Sequence, residues 1–121
     1  MQLILGGARS GKSRLAEQIA QQLAQPVVYV ATAQALDGEM QARIQHHQQQ
    51  RPEDWGLCEE PIYLAEQLVK LDRPNQTILV DCLTLWMSNL LMHTDPDLQV
   101  QECQKLLDVV GNLQSELILV S

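Results

Sequence analysis

The sequence predicts an α/β fold around a mostly parallel central sheet, on three observations. Short apolar, partly β-branched runs at residues 2–5, 27–31, 78–81 and 117–121 have the character of strands buried on both faces. Segments of helical spacing separate them. The first run also passes through a glycine-rich stretch straight into the first helix, and this stretch organises the rest of the chain.

Residues 2–5 are expected to form a buried strand. Gly6-Gly7-Ala8-Arg9-Ser10-Gly11-Lys12-Ser13 then satisfies G-x-x-x-x-G-K-[ST] in the strand-then-helix context which that pattern requires. Gly6 and Gly11 let the backbone turn where a side chain would clash, so that the N–H groups of the loop and the helix N-terminus point at phosphate oxygens. Lys12 is expected to neutralise the β- and γ-phosphates, and the Ser13 hydroxyl to hold Mg²⁺. The plainer alternative is a glycine-rich turn. On the first reading all eight residues are nucleotide contacts in a P-loop NTPase-type, RecA-like three-layer fold.

The first helix is expected from Lys12 to about Ala24, with Leu15, Ile19 and Leu23 at helical spacing and Ala16 and Ala20 beside them. Residues 27–31 follow as a central strand, and Thr32 stands at its C-terminal end, where open α/β sheets place ligands. Asp37 can cap a helix from Gly38 to about Gln50 that Pro52 helps to end. On its wheel Met40, Ile44 and His47 share one stripe and Glu39, Arg43, His46 and Gln50 another, so the adjacent histidines face different ways. The Gln run at 48–50 is a solvated helix end.

Residues 51–56 are expected as a loop, and Glu59-Glu60-Pro61 introduces a helix over 62–71. Its apolar residues Ile62, Leu64, Ala65, Leu68, Val69 and Leu71 lie mostly on one side. After a turn at 72–75, Ile78-Leu79-Val80-Asp81 is an apolar strand ending in a carboxylate, the shape of a Walker B element. Asp81 would reach Mg²⁺ directly or through water, or else cap the largely buried helix of residues 83–92. Asp95-Pro96 is a cap and first-turn proline for a helix whose stripe, Val100, Cys103, Leu106, Leu107, Val110 and Leu113, continues despite Gly111. Residues 117–121 form the last strand. With no internal repeat and no linker, residues 1–121 are expected to make a single P-loop nucleotide-binding domain.

Composition narrows the function classes. A chain of 121 residues is long enough for one modest core. With 45% hydrophobic residues it is a soluble globular sequence, and no apolar run approaches the roughly 18 residues of a membrane span. The N-terminal apolar run is too short for a signal peptide. A net charge of −7 opposes nucleic acid as partner, because most of the surface would repel a phosphate backbone. Cys58, Cys82 and Cys103 lack metal-ligand spacing and are expected as reduced, packed thiols without chemistry, which fits a cytoplasmic location.

The P-loop together with Ala31-Thr32, Asp37, Glu39-Met40, Arg43-Ile44-Gln45-His46-His47, Arg51-Pro52, Trp55, Glu59-Glu60-Pro61, Asp81-Cys82-Leu83-Thr84 and Ser88-Asn89-Leu90-Leu91 resembles one family closely. It is similar to the bifunctional adenosylcobinamide kinase/adenosylcobinamide-phosphate guanylyltransferases of cobalamin synthesis, and the R-I-x-H-H-x-x-x-R-P stretch is the most specific part. The resemblance departs at Leu5, where the family often has Thr. The family also continues past this last strand, so the chain is expected to be C-terminally incomplete. The resemblance implies that ATP or GTP phosphorylates adenosylcobinamide, and that GMP then passes from GTP through an enzyme histidine to the new phosphate. That histidine matches His46. Thr32 matches a residue near the nucleotide, and Arg51 and Glu59 match positions around its base or ribose. Mg²⁺ and a homo-oligomer, a trimer among the candidates, are implied in the same way.

The residues themselves agree in part. His46 shares the polar stripe with Arg43, whose guanidinium could steady phosphate charge one turn away, whereas His47 lies on the Met40/Ile44 stripe and reads as packing. By spacing alone His46 reads more readily as a surface residue of a Gln-rich helix than as a catalyst. Two other classes remain beside the bifunctional enzyme: another small-metabolite P-loop kinase, and a nucleotide-binding switch subunit without catalysis. All three need the phosphate cradle. Lys12→Ala is therefore expected to weaken GTP binding and lower phosphoryl transfer by on the order of a hundredfold or more, measured by calorimetry and turnover; unchanged binding and turnover would remove the P-loop assignment.

Overall fold

In the computed structural model the described residues are 1–5, 12–33 and 54–121, with Lys12 and Ser13 described by their backbone alone. The elements run β1 (Gln2–Ile4), α1 (Lys12–Gln22), β2 (Val27–Ala31), β3 (Gly56–Glu59), α2 (Leu64–Leu71), β4 (Thr77–Asp81), α3 (Leu83–Leu91), α4 (Leu98–Val110) and β5 (Glu116–Val120). The helix expected over 38–50 falls outside the described residues.

The strands form one five-stranded sheet in the order β1-β5-β4-β2-β3. Every pairing is parallel, with Ala31 opposite Asp81, Asp81 opposite Val120, and Ile4 opposite Val120. This is the α/β architecture expected of a P-loop NTPase-type fold. Because neighbouring residues of a strand point to opposite faces, each strand feeds two cores. Val27, Tyr29, Leu79, Ile118 and Val120 pack with Ala16 and Ala20 of α1. Val30, Ile78, Val80, Leu117 and Leu119 pack on the other face with Leu64, Ala65 and Leu68 of α2, Trp86 and Leu90 of α3, and Leu98 and Leu106 of α4. Layers of helix on both faces explain why β4 and β5 are continuous apolar runs rather than alternating ones.

Several expectations are corrected by packing. The buried stripe of α1 centres on Ala16 and Ala20, whose small side chains let the helix lie close on the sheet, while Leu15 is 49% exposed. Residues 2–5 are not a buried strand: β1 pairs with β5 alone among the described residues, and Leu3 and Leu5 are exposed. β3 is a strand where a loop and a helix approach are expected. Its Gly, Cys and Glu carry little strand signal, and backbone pairing with β2 holds it. α2 begins at Leu64 rather than 62, and Val69 is exposed because Leu64, Ala65 and Leu68 define the buried face. α3 is buried through Trp86 and Leu90, while Leu91 and Met92 at its end are exposed.

α4 differs at both ends from its sequence pattern. Asp97 is its N-cap, Asp95 Oδ1 accepts from the Asp97 N–H at 3.0 Å, and Gly111 caps the C-terminus instead of continuing the helix. Its buried face is Leu98, Glu102 and Leu106, spaced by four residues, so Val100 and Leu107 fall on the opposite side and are exposed. Glu102 is 1% exposed; its Oε2 meets Lys105 Nζ at 3.2 Å. Its Oε1 has no hydrogen-bond partner among the described residues.

The N-terminal ends of β4 and β5 are joined by side chains. Asp72 accepts from the N–H groups of Gln114 and Ser115 at 2.9 and 2.8 Å, and Ser115 Oγ donates to Arg73 O at 2.9 Å. Desolvation pushes the Asp72 pKa up, but the N–H groups of Gln114 and Ser115 outweigh it and hold the carboxyl below its usual value. A pKa depressed by folding adds stability above the unfolded value of about 3.9 and loses it as pH falls through the folded value. Asp72→Asn is therefore expected to lower the urea midpoint at pH 7, with the difference from wild type closing at acid pH; a difference that persists unchanged there would assign the effect to packing.

Candidate nucleotide site

In a parallel sheet all C-terminal strand ends share one edge, and here that edge gathers the sequence candidates. Ile4 leads into the glycine-rich stretch beside Ser121, whose N–H donates to Ile4 O at 3.0 Å. One strand further lies Asp81, and beyond it Thr32 follows β2 and Glu59 ends β3. Glu59 and Asp81 are both in register with Ala31, so the three residues project to the α1 face, with the carboxylates flanking a small alanine. Two strand spacings put their Cα atoms roughly 10 Å apart. Gly6, Gly7, Ala8, Arg9, Ser10, Gly11, His46 and Arg51 lie outside the described residues, as do the side chains of Lys12 and Ser13, whose backbone opens α1.

β2 holds the Asp81-Cys82 dipeptide at three points. Tyr29 Oη donates to Asp81 Oδ2 at 2.5 Å. The Thr32 N–H donates to Asp81 O at 3.1 Å. The wholly buried Thr32 hydroxyl accepts from the Cys82 N–H at 2.9 Å and donates to Cys82 O at 2.7 Å. A hydroxyl has one proton to donate, so Thr32 spends its donor on the β4 backbone. Asp81 does not cap the following helix: Cys82 does, its Sγ accepting from the Leu85 N–H at 3.4 Å.

α3 ties the excursion that leaves β2 to the chain that returns from β3. Asn89 Nδ2 donates to Thr32 O at 2.7 Å and to Pro61 O at 3.1 Å, while Trp86 Nε1 donates to Ile62 O at 2.8 Å. Glu60 accepts from the N–H groups of Ile62 and Tyr63 at 3.0 and 3.1 Å, and its own N–H donates to Ala31 O at 2.9 Å. Sequence reasoning gave no role here to Tyr29, Glu60, Cys82 or Asn89, although the last three stand in the resembling stretches. The available signals were a polar tip inside the apolar run 27–31 and a carboxamide inside the apolar run 83–92.

The chemistry available here is that of oxygen donors. Among the described residues no group of three or more His, Cys, Asp or Glu forms a metal cage. A Mg²⁺ ion bound with a nucleotide takes only one or two protein oxygens and completes its shell with water and phosphate, and the Asp81 carboxylate is a donor of that hard type. The three cysteines are free thiols. Burial, with Glu60 and Glu59 adding to it, pushes the Cys58 pKa up, and burial with Glu102 does so for Cys103, which opposes thiolate chemistry at either.

Comparison with known proteins bears on the whole chain. A family model described as cobinamide kinase / cobinamide phosphate guanyltransferase matches residues 2–121. The bifunctional adenosylcobalamin biosynthesis protein CobP of Pseudomonas aeruginosa is 51% identical over 119 residues, which is 98% of this chain and 69% of that protein. The bifunctional adenosylcobalamin biosynthesis proteins CobU of Escherichia coli and Salmonella typhimurium are 46% and 48% identical over 80% and 75% of this chain. The matched part of the chain spans 55% and 50% of those two relatives.

The Asn89 bridge makes a direct prediction. Asn89→Ala leaves two carbonyls without their donor and is expected to lower unfolding stability by about 1–3 kcal/mol in urea titration. Asn89→Asp, which cannot donate, should not restore it; full stability in either variant would show the bridge to be dispensable.

Proposed function

Since this chain belongs to the cobinamide kinase / cobinamide phosphate guanyltransferase family, we propose that it carries out both reactions of that name on the nucleotide edge of its sheet. ATP or GTP phosphorylates the hydroxyl of adenosylcobinamide's aminopropanol arm, and GMP from GTP is then joined to that phosphate to give adenosylcobinamide-GDP. Above all, the position of Asp81 supports this reading: a carboxylate at the C-terminal end of β4, on the α1 face and separated by β5 alone from the strand that enters the glycine-rich stretch.

Residues take the following roles in the proposal. Gly6, Gly7, Ala8, Arg9, Ser10 and Gly11 cradle phosphates through their backbone, and Lys12 neutralises the β- and γ-phosphates. Ser13 and Asp81 hold Mg²⁺, which when bound offsets charge on the leaving phosphates. Thr32 fixes the edge beside the nucleotide, and Arg51 and Glu59 lie around its base or ribose. In the second reaction a nitrogen of neutral His46 attacks the α-phosphorus of GTP, the N–P bond forms, the α–β P–O bond breaks and pyrophosphate leaves. A phosphate oxygen of adenosylcobinamide phosphate then attacks the same phosphorus and releases the imidazole. The proposal includes a cytoplasmic homo-oligomer of single P-loop domains.

GTP labelled at the α- or the γ-phosphate separates this from a simple kinase. Label is expected in the full-length protein only from the α-position, stable to alkali and released by mild acid, as a phosphoramidate would be. It should persist in His47→Ala and vanish in folded His46→Ala. Retention in His46→Ala would refute the assignment, and loss only in His47→Ala would move the nucleophile by one residue.

A further inference from the structure

Asp81 is held from two directions by one neighbouring strand. Its carbonyl accepts from the Thr32 N–H at 3.1 Å, which fixes the main chain where β4 ends. Its carboxylate Oδ2 accepts from Tyr29 Oη at 2.5 Å. Tyr29 sits two residues before the register partner of Asp81 on the same face, packs in the core with Ala16 and Ala20 of α1 and brings its hydroxyl to the Asp81 carboxylate. Only 4% of Tyr29 is exposed. The terminal torsion of an aspartate is soft, and a charge-assisted hydrogen bond from a packed ring removes that freedom.

We propose that Tyr29 is a positioning residue of the nucleotide site: its hydroxyl orients the Asp81 carboxylate, so that a divalent cation arriving with a nucleotide meets a ligand already set in place. The proposal rests on the reading of Asp81 as the carboxylate that serves that cation. It makes the tyrosine more than core filling. A side chain needed only to fill space under α1 would be served by phenylalanine, which has the same ring and no oxygen to bury. Partners of this outer kind, which hold a ligand without touching the metal, are worth on the order of tenfold to a hundredfold in metal affinity.

The experiment uses the full-length protein and its Tyr29→Phe and Asp81→Asn variants, with Mn²⁺ as the cation and a non-hydrolysable GTP analogue as the nucleotide. Mn²⁺ affinity is followed by electron paramagnetic resonance, nucleotide affinity by calorimetry in chelator, and folding by urea titration. Tyr29→Phe is expected to remain folded, to bind nucleotide in chelator as wild type does, and to bind Mn²⁺ on the order of tenfold to a hundredfold more weakly. Asp81→Asn should weaken Mn²⁺ at least as much. A Tyr29→Phe protein whose urea midpoint falls while its Mn²⁺ affinity stays at the wild-type value would overturn the positioning role and leave Asp81's role standing. Wild-type Mn²⁺ affinity in Asp81→Asn would overturn the metal reading itself and, with it, the role given to Tyr29.

Discussion

The register of β2 against β4 is the constraint on which the rest depends. Ala31 opposes Asp81, which places Tyr29 and Asp81 on the α1 face and brings the Thr32 backbone to the Asp81 carbonyl. A slip of one residue would turn every side chain of one strand to the other face. Asp81 would then enter the apolar layer formed by α2, α3 and α4, where an isolated carboxylate is strongly disfavoured. The same slip would send Val27 and Tyr29 away from the small residues of α1. Core packing and the orientation of the edge carboxylate are thus enforced by one set of backbone hydrogen bonds.

The two faces of the sheet are covered differently. Among the described residues, α1 approaches one side through Ala16 and Ala20, and on the other three helices supply Leu64, Leu68, Trp86, Leu90 and Leu106. The thicker side also carries the polar ties: Asn89 and Trp86 reach the carbonyls of Thr32, Pro61 and Ile62 from α3. These ties belong to a helix whose buried residues are Trp86 and Leu90, so its position is set by burial while Asn89 and the Trp86 N–H act on the chain beside the strand ends. At the opposite edge of the sheet, Asp72, Gln76 and Ser115 perform a comparable service for β4 and β5, since Gln76 Nε2 donates to Leu71 O and Ser115 Oγ.

The strands whose residues are buried on both sides were legible in the sequence, because apolar runs as short and continuous as 78–80 and 117–120 are what a strand covered on both faces requires. β3 was not, because its existence depends on a neighbour rather than on its own residues: Gly56, Cys58 and Glu59 carry no strand pattern and are held by β2. The faces of α4 were misjudged for a related reason. Leu107 and Val100 are apolar by composition, but Glu102 occupies the inner position with Lys105 at its rim. Thr32 and Asp81 could be named in advance as candidates because strand ends in parallel sheets are where ligands bind, whereas Glu59 was a candidate through the family resemblance alone. The roles of Tyr29 and Asn89 could not be named in advance, because a hydrogen bond between residues separated by 52 or 57 positions has no local pattern.

The pairing of β1 bears on how the protein comes into being. Gln2 and Ile4 find their backbone partners in Ile118 and Val120, more than a hundred positions later in the sequence. On a ribosome making about 5–20 residues per second, the first strand emerges on the order of ten seconds before β5 does. During that interval β2, β4 and their helices can assemble among themselves, while the nascent N-terminus, with Leu3 and Leu5, has no sheet to join. The glycine-rich stretch hangs from that same strand. The edge that joins β1 to β4 is therefore assembled only after β5 has been made and closes the gap between them.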